Sequence, residues 1–296
     1  MLVLLALIGT VSLANASTPT QDFCARHSAS TNCPETPWIL AARKTLCESS
    51  PEAVSTPEVI LFYFDGADYF SPREAKDSLH AVNLSGNEMA EPLRNGVNAW
   101  IHFWLPAFAT KSKINWDTKV EFHYHSGDGF EPFHGEKDGL QCFSSVSQDL
   151  LDLQSILPNF VKPKIALVGH SNGGASAIGI ASAANYAVDL VLLIDPVPLA
   201  PSFIEEKISD QEFEFWENGI PGNVSRVADI YQQTDMGSLA GIIAIRGSEI
   251  PGAANLRNLV MMPDPITDHR KDHVRMLIYP DTVDFVSDEL VKLIGK

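Results

Sequence analysis

The sequence predicts an α/β fold, a mostly parallel β-sheet with helices on both faces, preceded by a short N-terminal extension. Three short apolar runs, residues 59–64, 164–168 and 189–194, are rich in β-formers and do not alternate with polar residues. Such runs are typical of strands buried on both faces. Apolar residues recur at helical spacing between or after these runs, over residues 145–157 and 173–184. Alternating strands and helices indicate a parallel sheet that helices cover on both sides.

The same patterns predict the remaining elements. Alternation of apolar and polar residues indicates strands, and apolar residues at three- and four-residue steps indicate helices. The additional predicted strands cover residues 119–125, 224–231 and 258–262, and the additional predicted helices cover residues 38–46 and 281–293.

Length and charge limit the function classes. A chain of 296 residues is long enough for one large α/β domain with a sizeable core. It carries 21 Lys and Arg against 37 Asp and Glu, a formal net charge of -16. Because such a surface repels a polyanionic backbone, we expect no nucleic acid partner.

The N-terminus resembles an export signal. Residues 1–16 are largely apolar and end in Ala14 and Ala16, whose spacing suits signal peptidase. The run is too short for a comfortable membrane span, and no other stretch is apolar for long enough to cross a bilayer. Since no Lys or Arg precedes the run, an uncleaved interfacial anchor is the alternative. We therefore expect a signal peptide over 1–16, an extension over 17–56, a domain over 57–296, and a secreted or periplasmic protein.

Four cysteines follow the predicted signal: Cys24, Cys33, Cys47 and Cys142. An even number in an exported chain predicts disulfides, and four cysteines allow three pairings. Three of them lie close together near the mature N-terminus, so we expect Cys142 to tie that segment to the domain.

Four side chains are candidate metal ligands. His123 and His125 share one face of a predicted strand, and Asp128 and His134 lie nearby in sequence. None of them supplies a third ligand at a recognisable spacing, and the chain has no CxxC pair. We therefore predict neither a metal site nor another cofactor.

Residues 169–174 contain the G-x-S-x-G pattern as Gly-His-Ser-Asn-Gly-Gly, with Ser171 at its centre. In this pattern a serine occupies a tight strand-to-helix turn, and the glycines avoid a clash between strand and helix. Here a β-run precedes the pattern directly and a helix of small residues follows it. That context predicts Ser171 as a nucleophile.

Residues 165–184 resemble the nucleophile elbow of the α/β-hydrolases, especially esterases and lipases, and the similarity extends with lower specificity over residues 59–293. The resemblance implies an α/β-hydrolase fold with a Ser–acid–His triad in that chain order. It also implies an oxyanion hole built from backbone amides, which hold the negative charge of the tetrahedral intermediate.

The base implied by the resemblance is a histidine after the last strand. His269 and His273 are the two candidates. We favour His273, because its segment resembles the loop that leads into the family's C-terminal helix. His170 is a poor base for Ser171, since adjacent side chains on such a turn diverge.

The acid has several candidates. In most of the family it follows the strand after the one at 189–194, which points to Asp235. Some lipases place it one strand earlier, and Asp195, directly after that buried strand, matches this arrangement. We favour Asp195 because its carboxylate would be fixed and partly desolvated, as suits a group that orients an imidazole. Asp264 and Asp268 are the remaining candidates for the acid. The structural alternative for Asp195 is that it only caps the turn after its strand.

The predicted oxyanion donors are the backbone amides of Asn172, which follows the nucleophile, and Ala67, in the loop after the strand at 59–64. The family often has His-Gly at the second position, whereas this chain has Asp65 and Gly66. A nearby aromatic group either lines an acyl-chain pocket or packs in the core: Trp100, Phe103, Trp104 and Phe108.

These features predict a secreted serine hydrolase that cleaves small-molecule or lipid carboxylic esters through an acyl-enzyme. An acyltransferase or a peptidase would use the same triad, and the fold does not choose among them. The alternative from another class is a hydrolase-like binding protein whose triad is no longer competent.

Overall fold

The protein is described here from a computed structural model. The structure describes residues 18–25, 37–48, 56–67, 103–115, 119–127, 132–196, 220–232, 238–239, 243–244, 250–258 and 276–295.

The helices are α1 (Pro19–Ala25), α2 (Pro37–Cys47), α3 (Leu105–Ser112), α4 (Pro132–Ile156), α5 (Asn172–Ala183) and α6 (Pro280–Leu293). The strands are β1 (Val59–Ala67), β2 (Val120–Gly127), β3 (Lys164–His170), β4 (Leu190–Ile194), β5 (Val227–Tyr231), β6 (Ser238–Leu239), β7 (Ile243–Ala244) and β8 (Asn255–Asn258). A short 3-10 helix, Met276–Ile278, precedes α6.

Within the described ranges, six strands form one sheet in the order β2-β1-β3-β4-β5-β8, and each neighbouring pair in it is parallel. β6 and β7 form a separate antiparallel pair. Because parallel strands all end at the same edge, the residues after β1, β3, β4 and β5 lie along one side of the sheet. The predicted mostly parallel sheet is confirmed.

Both faces of the sheet are covered, as β1 shows. Ile60, Phe62 and Phe64 pack into one core cluster, and the intervening Leu61 and Tyr63 pack into the other. Residues of α1, α2, α4 and α5 complete the first cluster, and residues of α3 and α6 complete the second. A strand buried on both sides has no polar face, and this explains the uninterrupted apolar run at its start. The predicted placement of helices on both faces is confirmed.

The aromatic residues near α3 belong to the second cluster. Trp104 and Phe108 are fully buried, and the indole nitrogen of Trp104 donates a hydrogen bond to the Leu277 carbonyl at 2.8 Å. Phe103 is partly buried against the same cluster. These residues therefore pack in the core, which was one of the two alternatives. Trp100 lies outside the described residues.

Several element bounds differ from the predictions. α4 begins at Pro132 rather than at 145, because Gly135, Gly139 and several polar residues obscure the helical period in its first half. β8 ends at Asn258, where the prediction began, and residues 259–262 lie outside the described part. β5 begins at Val227 rather than at 224, although Val224 forms an isolated parallel bridge with Val188.

The disulfide Cys24–Cys47 joins α1 to α2. Cys142 is also disulfide-bonded, and no free cysteine occurs in the described part of the chain; Cys33 lies outside it.

Arg43 of α2 forms a buried ion pair with Asp149 of α4 at 3.3 Å. This ion pair is a direct polar contact between α2 and α4. Among the helices of the described residues, none combines the length and apolar character needed to cross a membrane.

At the amino-terminal edge of the sheet, a fully buried carboxylate joins β5, β8 and α6. Glu289 accepts hydrogen bonds from Arg226 at 2.7 Å, Asn255 at 2.7 Å and Lys292 at 2.6 Å. Burial by itself raises the pKa of Glu289, but the hydrogen bonds from Lys292, Arg226 and Asn255 hold the pKa below its ordinary value. The charged carboxylate therefore stabilises this edge of the fold.

Candidate active site at the carboxyl edge of the sheet

Ser171 occupies the turn between β3 and α5. Its backbone has φ 56° and ψ −126°, a left-handed conformation that non-glycine residues rarely adopt and that stores strain. Its amide donates to the Ile194 carbonyl at 3.1 Å, and its carbonyl accepts from the Gly174 amide at 3.0 Å. The sheet and the helix together therefore fix this serine at the carboxyl end of β3, in the strand–turn–helix setting that the pattern predicts.

The glycines of the pattern are required by close packing. A β-carbon on Gly169 would lie 2.3 Å from the carbonyl oxygen of Gly173, and one on Gly174 would lie 2.7 Å from the β-carbon of Pro196. Both distances are too short for real contacts. Glycine therefore lets α5 start directly beside β3, with Ser171 between them.

Asp195 follows β4 and is fully buried. It also has a positive φ, 47°, and its amide donates to the Ile230 carbonyl at 2.7 Å. His170 pairs with Ile194 in the sheet, so the next residues along the two strands, Ser171 and Asp195, are also neighbours. Adjacent strands lie about 4.8 Å apart. The structure thus brings these two predicted site residues to the same edge of the sheet.

Gln232, a residue outside the predicted site, follows β5 and contacts Asp195 directly. Its backbone amide donates to Asp195 Oδ1 at 2.9 Å, and its side-chain Nε2 donates to Asp195 Oδ2 at 2.9 Å. Gln232 is fully buried. The sequence holds one signal for Gln232: it is a polar residue directly after a buried strand, at the edge that carries Ser171 and Asp195.

The two predicted oxyanion donors lie at the same edge. Asn172 is the first residue of α5, and amides in the first turn of a helix have no acceptor within the helix. Ala67 ends β1, the neighbour of β3 on the side opposite β4. A register shift after Phe64 brings Ala67 opposite Gly127 of β2. The backbone of Ala67 therefore lies one strand away from that of Ser171.

The other candidates for the triad lie outside the described residues. These are the favoured base His273, its alternative His269, and the alternative acids Asp235, Asp264 and Asp268.

The histidines of β2 pack against aromatic rings of β1. The buried His123 hydrogen-bonds to Glu121, stacks on Phe62 with ring centroids 4.8 Å apart, and contacts the Cys142 sulfur at 3.7 Å. His125 stacks on Phe64. Across the described ranges, no group of three or more His, Cys, Asp or Glu side chains is arranged to hold a metal ion. Asp128 and the side chain of His134 lie outside the described part.

Several solved structures are similar to this chain. Est1E from Butyrivibrio proteoclasticus is 11% identical, with 84% of this chain and 92% of that chain covered and a TM-score of 0.36. The ydeN gene product from B. subtilis is 12% identical, with 80% and 99% covered and a TM-score of 0.39. The esterase domain of a Rhodothermus marinus protein is 13% identical, with 80% and 87% covered and a TM-score of 0.37. No protein-family model and no curated protein matches the chain.

The chain has an α/β-hydrolase fold. Its six-stranded sheet is parallel, helices lie on both faces, and the strand that bears the serine turn lies inside the sheet between β1 and β4. The helix that follows the turn starts at the next residue, Asn172. The predicted fold is confirmed.

Proposed function

We propose that the protein is a serine hydrolase that cleaves carboxylic esters of small molecules or lipids, with Ser171 as the nucleophile. The strained backbone of Ser171, between an interior strand and the first residue of a helix, is the observation that carries the proposal. Such strain persists only where the surrounding structure enforces it, and it clusters at functional sites. The turn places the serine at the end of β3, beside the start of α5, whose N-terminus favours negative charge.

The proposed reaction is acyl transfer to water. The Ser171 hydroxyl loses its proton to a ring nitrogen of His273, and its oxygen bonds to the ester carbonyl carbon. The carbonyl electron pair moves to the oxygen, which the amides of Asn172 and Ala67 would stabilise. The bond to the alcohol then breaks, and the alcohol leaves with the proton from the imidazolium. Water gives a proton to the same imidazole and attacks the acyl-enzyme carbonyl carbon. The bond to Ser171 Oγ then breaks, the imidazolium returns the proton to Oγ, and the carboxylic acid leaves.

Asp195 is the proposed acid, which orients the imidazole and stabilises its charged form. Its burial, its position beside Ser171 and the two donated hydrogen bonds from Gln232 support this role. One of those bonds comes from the backbone where β5 ends. That bond supports the alternative in which Asp195 is structural and Asp235 is the acid.

Extracytoplasmic location is part of the proposal. The Cys24–Cys47 disulfide supports it, because disulfides form and persist mainly in oxidising compartments. The apolar residues 1–16 supply a sequence that would direct export.

Labelling with a fluorophosphonate probe tests the nucleophile. We expect one label per wild-type chain, none on Ser171→Ala, and wild-type labelling on Ser147→Ala. Ser147 is a buried serine of α4 whose hydroxyl has no hydrogen-bond partner among the described residues, which makes it a matched control. Ester turnover should fall by about three orders of magnitude or more in Ser171→Ala. Unchanged turnover in that variant would exclude the proposal.

Product analysis with chromogenic esters separates the related activities. A hydrolase releases free acid even when an alcohol is added, whereas an acyltransferase passes the acyl group to the alcohol. A peptidase would also cleave the matched amides, which an esterase leaves intact. A binding protein with an incompetent triad would neither label nor turn over ester.

A further inference from the structure

We infer that Gln232 is a positioning residue that holds the Asp195 carboxylate in the orientation needed to hydrogen-bond the catalytic imidazole. The inference rests on the proposed function with Asp195 as its acid, and it assigns a role to a residue outside the triad and the oxyanion hole.

The geometry of the contact supports this role. Gln232 donates to both oxygens of one carboxylate, from its backbone amide to Oδ1 and from Nε2 to Oδ2, each at 2.9 Å. One hydrogen bond would let the carboxylate rotate about its Cβ–Cγ bond. Two donors at different oxygens fix the plane of the group as well as its position. The backbone donor is itself anchored by β5, which pairs with β4 up to Ile230 and Ile194.

The chemistry of the glutamine side chain suits the task. A carboxylate removed from water needs N–H donors to remain charged at tolerable cost, and Asp195 is fully buried. An amide supplies such a donor without a charge of its own. A cation in the same place would compete with the imidazolium for the negative charge. Since a carboxylate oxygen can accept two hydrogen bonds, one donor at each oxygen is compatible with a further bond to an imidazole.

The competing explanation is that Gln232 only stabilises the chain where β5 ends. The two roles predict different effects of Gln232 once residue 195 is changed. A structural residue contributes to stability whatever residue 195 is, whereas a positioning residue loses its effect on catalysis once the Asp195 carboxylate is removed.

The experiment is a double-mutant cycle with Gln232→Met, Asp195→Asn and the double variant, followed by kcat and KM for a chromogenic ester. Methionine keeps the length and volume of the side chain but lacks the Nε2 donor. The matched control is Gln148→Met in α4. The Nε2 of the exposed Gln148 donates to Asp152 at 3.0 Å, so that variant loses a glutamine–carboxylate hydrogen bond away from the site. Thermal unfolding of each variant reports on the fold.

Gln232→Met should lower kcat by about ten- to hundredfold, the effect of losing one hydrogen bond to a charged group. KM should change by less than about twofold, because the residue acts on the acid and not on the substrate. In the Asp195→Asn background the same change should lower kcat by less than about threefold, since coupled residues are not additive. Gln148→Met should keep the wild-type kcat.

Two outcomes would overturn the inference alone: a wild-type kcat in folded Gln232→Met, or an equal fold-loss in both backgrounds. If Gln232→Met does not fold, Gln232→Leu removes the same Nε2 donor with a shorter apolar side chain, and full kcat in that folded variant would also overturn the inference. Wild-type protein that fails to label at Ser171 would overturn the proposed function, and the inference with it. Labelled wild type with an unaffected Gln232→Met would leave the proposed function intact.

Discussion

The contact between β3 and α5 at Gly169 allows a substitution whose effect can be worked out from the structure. In Gly169→Ala the new β-carbon would lie 2.3 Å from the carbonyl oxygen and 2.6 Å from the carbonyl carbon of Gly173, and 2.7 Å from Cα of Gly174. All three are backbone atoms, which cannot rotate away as the end of a side chain can. The start of α5 must move by roughly 1 Å before these contacts become ordinary ones.

This displacement has two consequences of different size. Overpacking of this kind costs about 1–3 kcal/mol of unfolding free energy. Ser171 lies between the two segments, and a misplacement of about 1 Å can lower a catalytic rate by about a hundredfold. We therefore expect Gly169→Ala to be moderately destabilised in urea unfolding. Its folded fraction should show a roughly hundredfold lower kcat and a similarly slower reaction with a fluorophosphonate.

Two alanine variants serve as controls. In Gly139→Ala the β-carbon would lie 2.5 Å from a ring carbon of Phe64, so stability should fall while the folded fraction keeps its kcat. In Gly222→Ala the β-carbon would meet nothing within 4 Å, so stability should change by about 0.5 kcal/mol or less. Wild-type kcat in Gly169→Ala, or an equal loss of kcat in Gly139→Ala, would refute the link between this contact and the serine.

Three further predictions concern stability. Glu289→Gln should lower the unfolding free energy by about 1–3 kcal/mol at pH 7. Because folding lowers the pKa of Glu289, its stabilising effect is present above the ordinary glutamate pKa of about 4.3 and is lost as pH falls through the lower folded pKa. The difference between wild type and variant in urea unfolding should therefore shrink in acid, and a constant difference would contradict this. Asn223→Ala should cost about 1–2 kcal/mol by thermal unfolding, because its side-chain nitrogen donates to three carbonyls at the end of α5: those of Ala181, Ala184 and Tyr186. Thiol titration of unfolded, unreduced protein should find no free cysteine, and reduction should cost about 2–5 kcal/mol per bridge; four titratable thiols would contradict the disulfides.

The central strands could be predicted because they are buried on both faces. Burial leaves an uninterrupted apolar run in β3 and β4, and the glycines around Ser171 mark the turn that follows. The first half of α4 and the strand β8 left no such signal. β8 is an edge strand with mostly exposed side chains, so its sequence does not need to be apolar.

The surroundings of Asp195 could be predicted only in part. A buried strand that ends in an aspartate indicates a fixed carboxylate, and the structure shows that carboxylate fully buried. Its partner Gln232 lies 37 residues along the chain. Their contact depends on the register between β4 and β5, which pairs Ile194 with Ile230. Sequence periodicity predicts which residues face the core but does not specify that register between separate strands.

At this edge, two residues adopt backbone conformations that favour glycine, although the proposed site needs their side chains. In the described part of the chain, three non-glycine residues have a positive φ: Lys113, Ser171 and Asp195. Lys113 ends α3 in the ordinary left-handed conformation of a helix terminus. Ser171 and Asp195 instead follow neighbouring interior strands, and each such conformation costs about 1–3 kcal/mol. Glycine would adopt either conformation without that cost. At residue 195, however, glycine would leave both Gln232 donors buried without their acceptor, and at residue 171 it would remove the proposed nucleophile. At residue 195 the two hydrogen bonds from Gln232 offset the strain. At residue 171 the backbone hydrogen bonds to Ile194 and Gly174 hold the strained conformation, and the proposed chemistry requires the side chain.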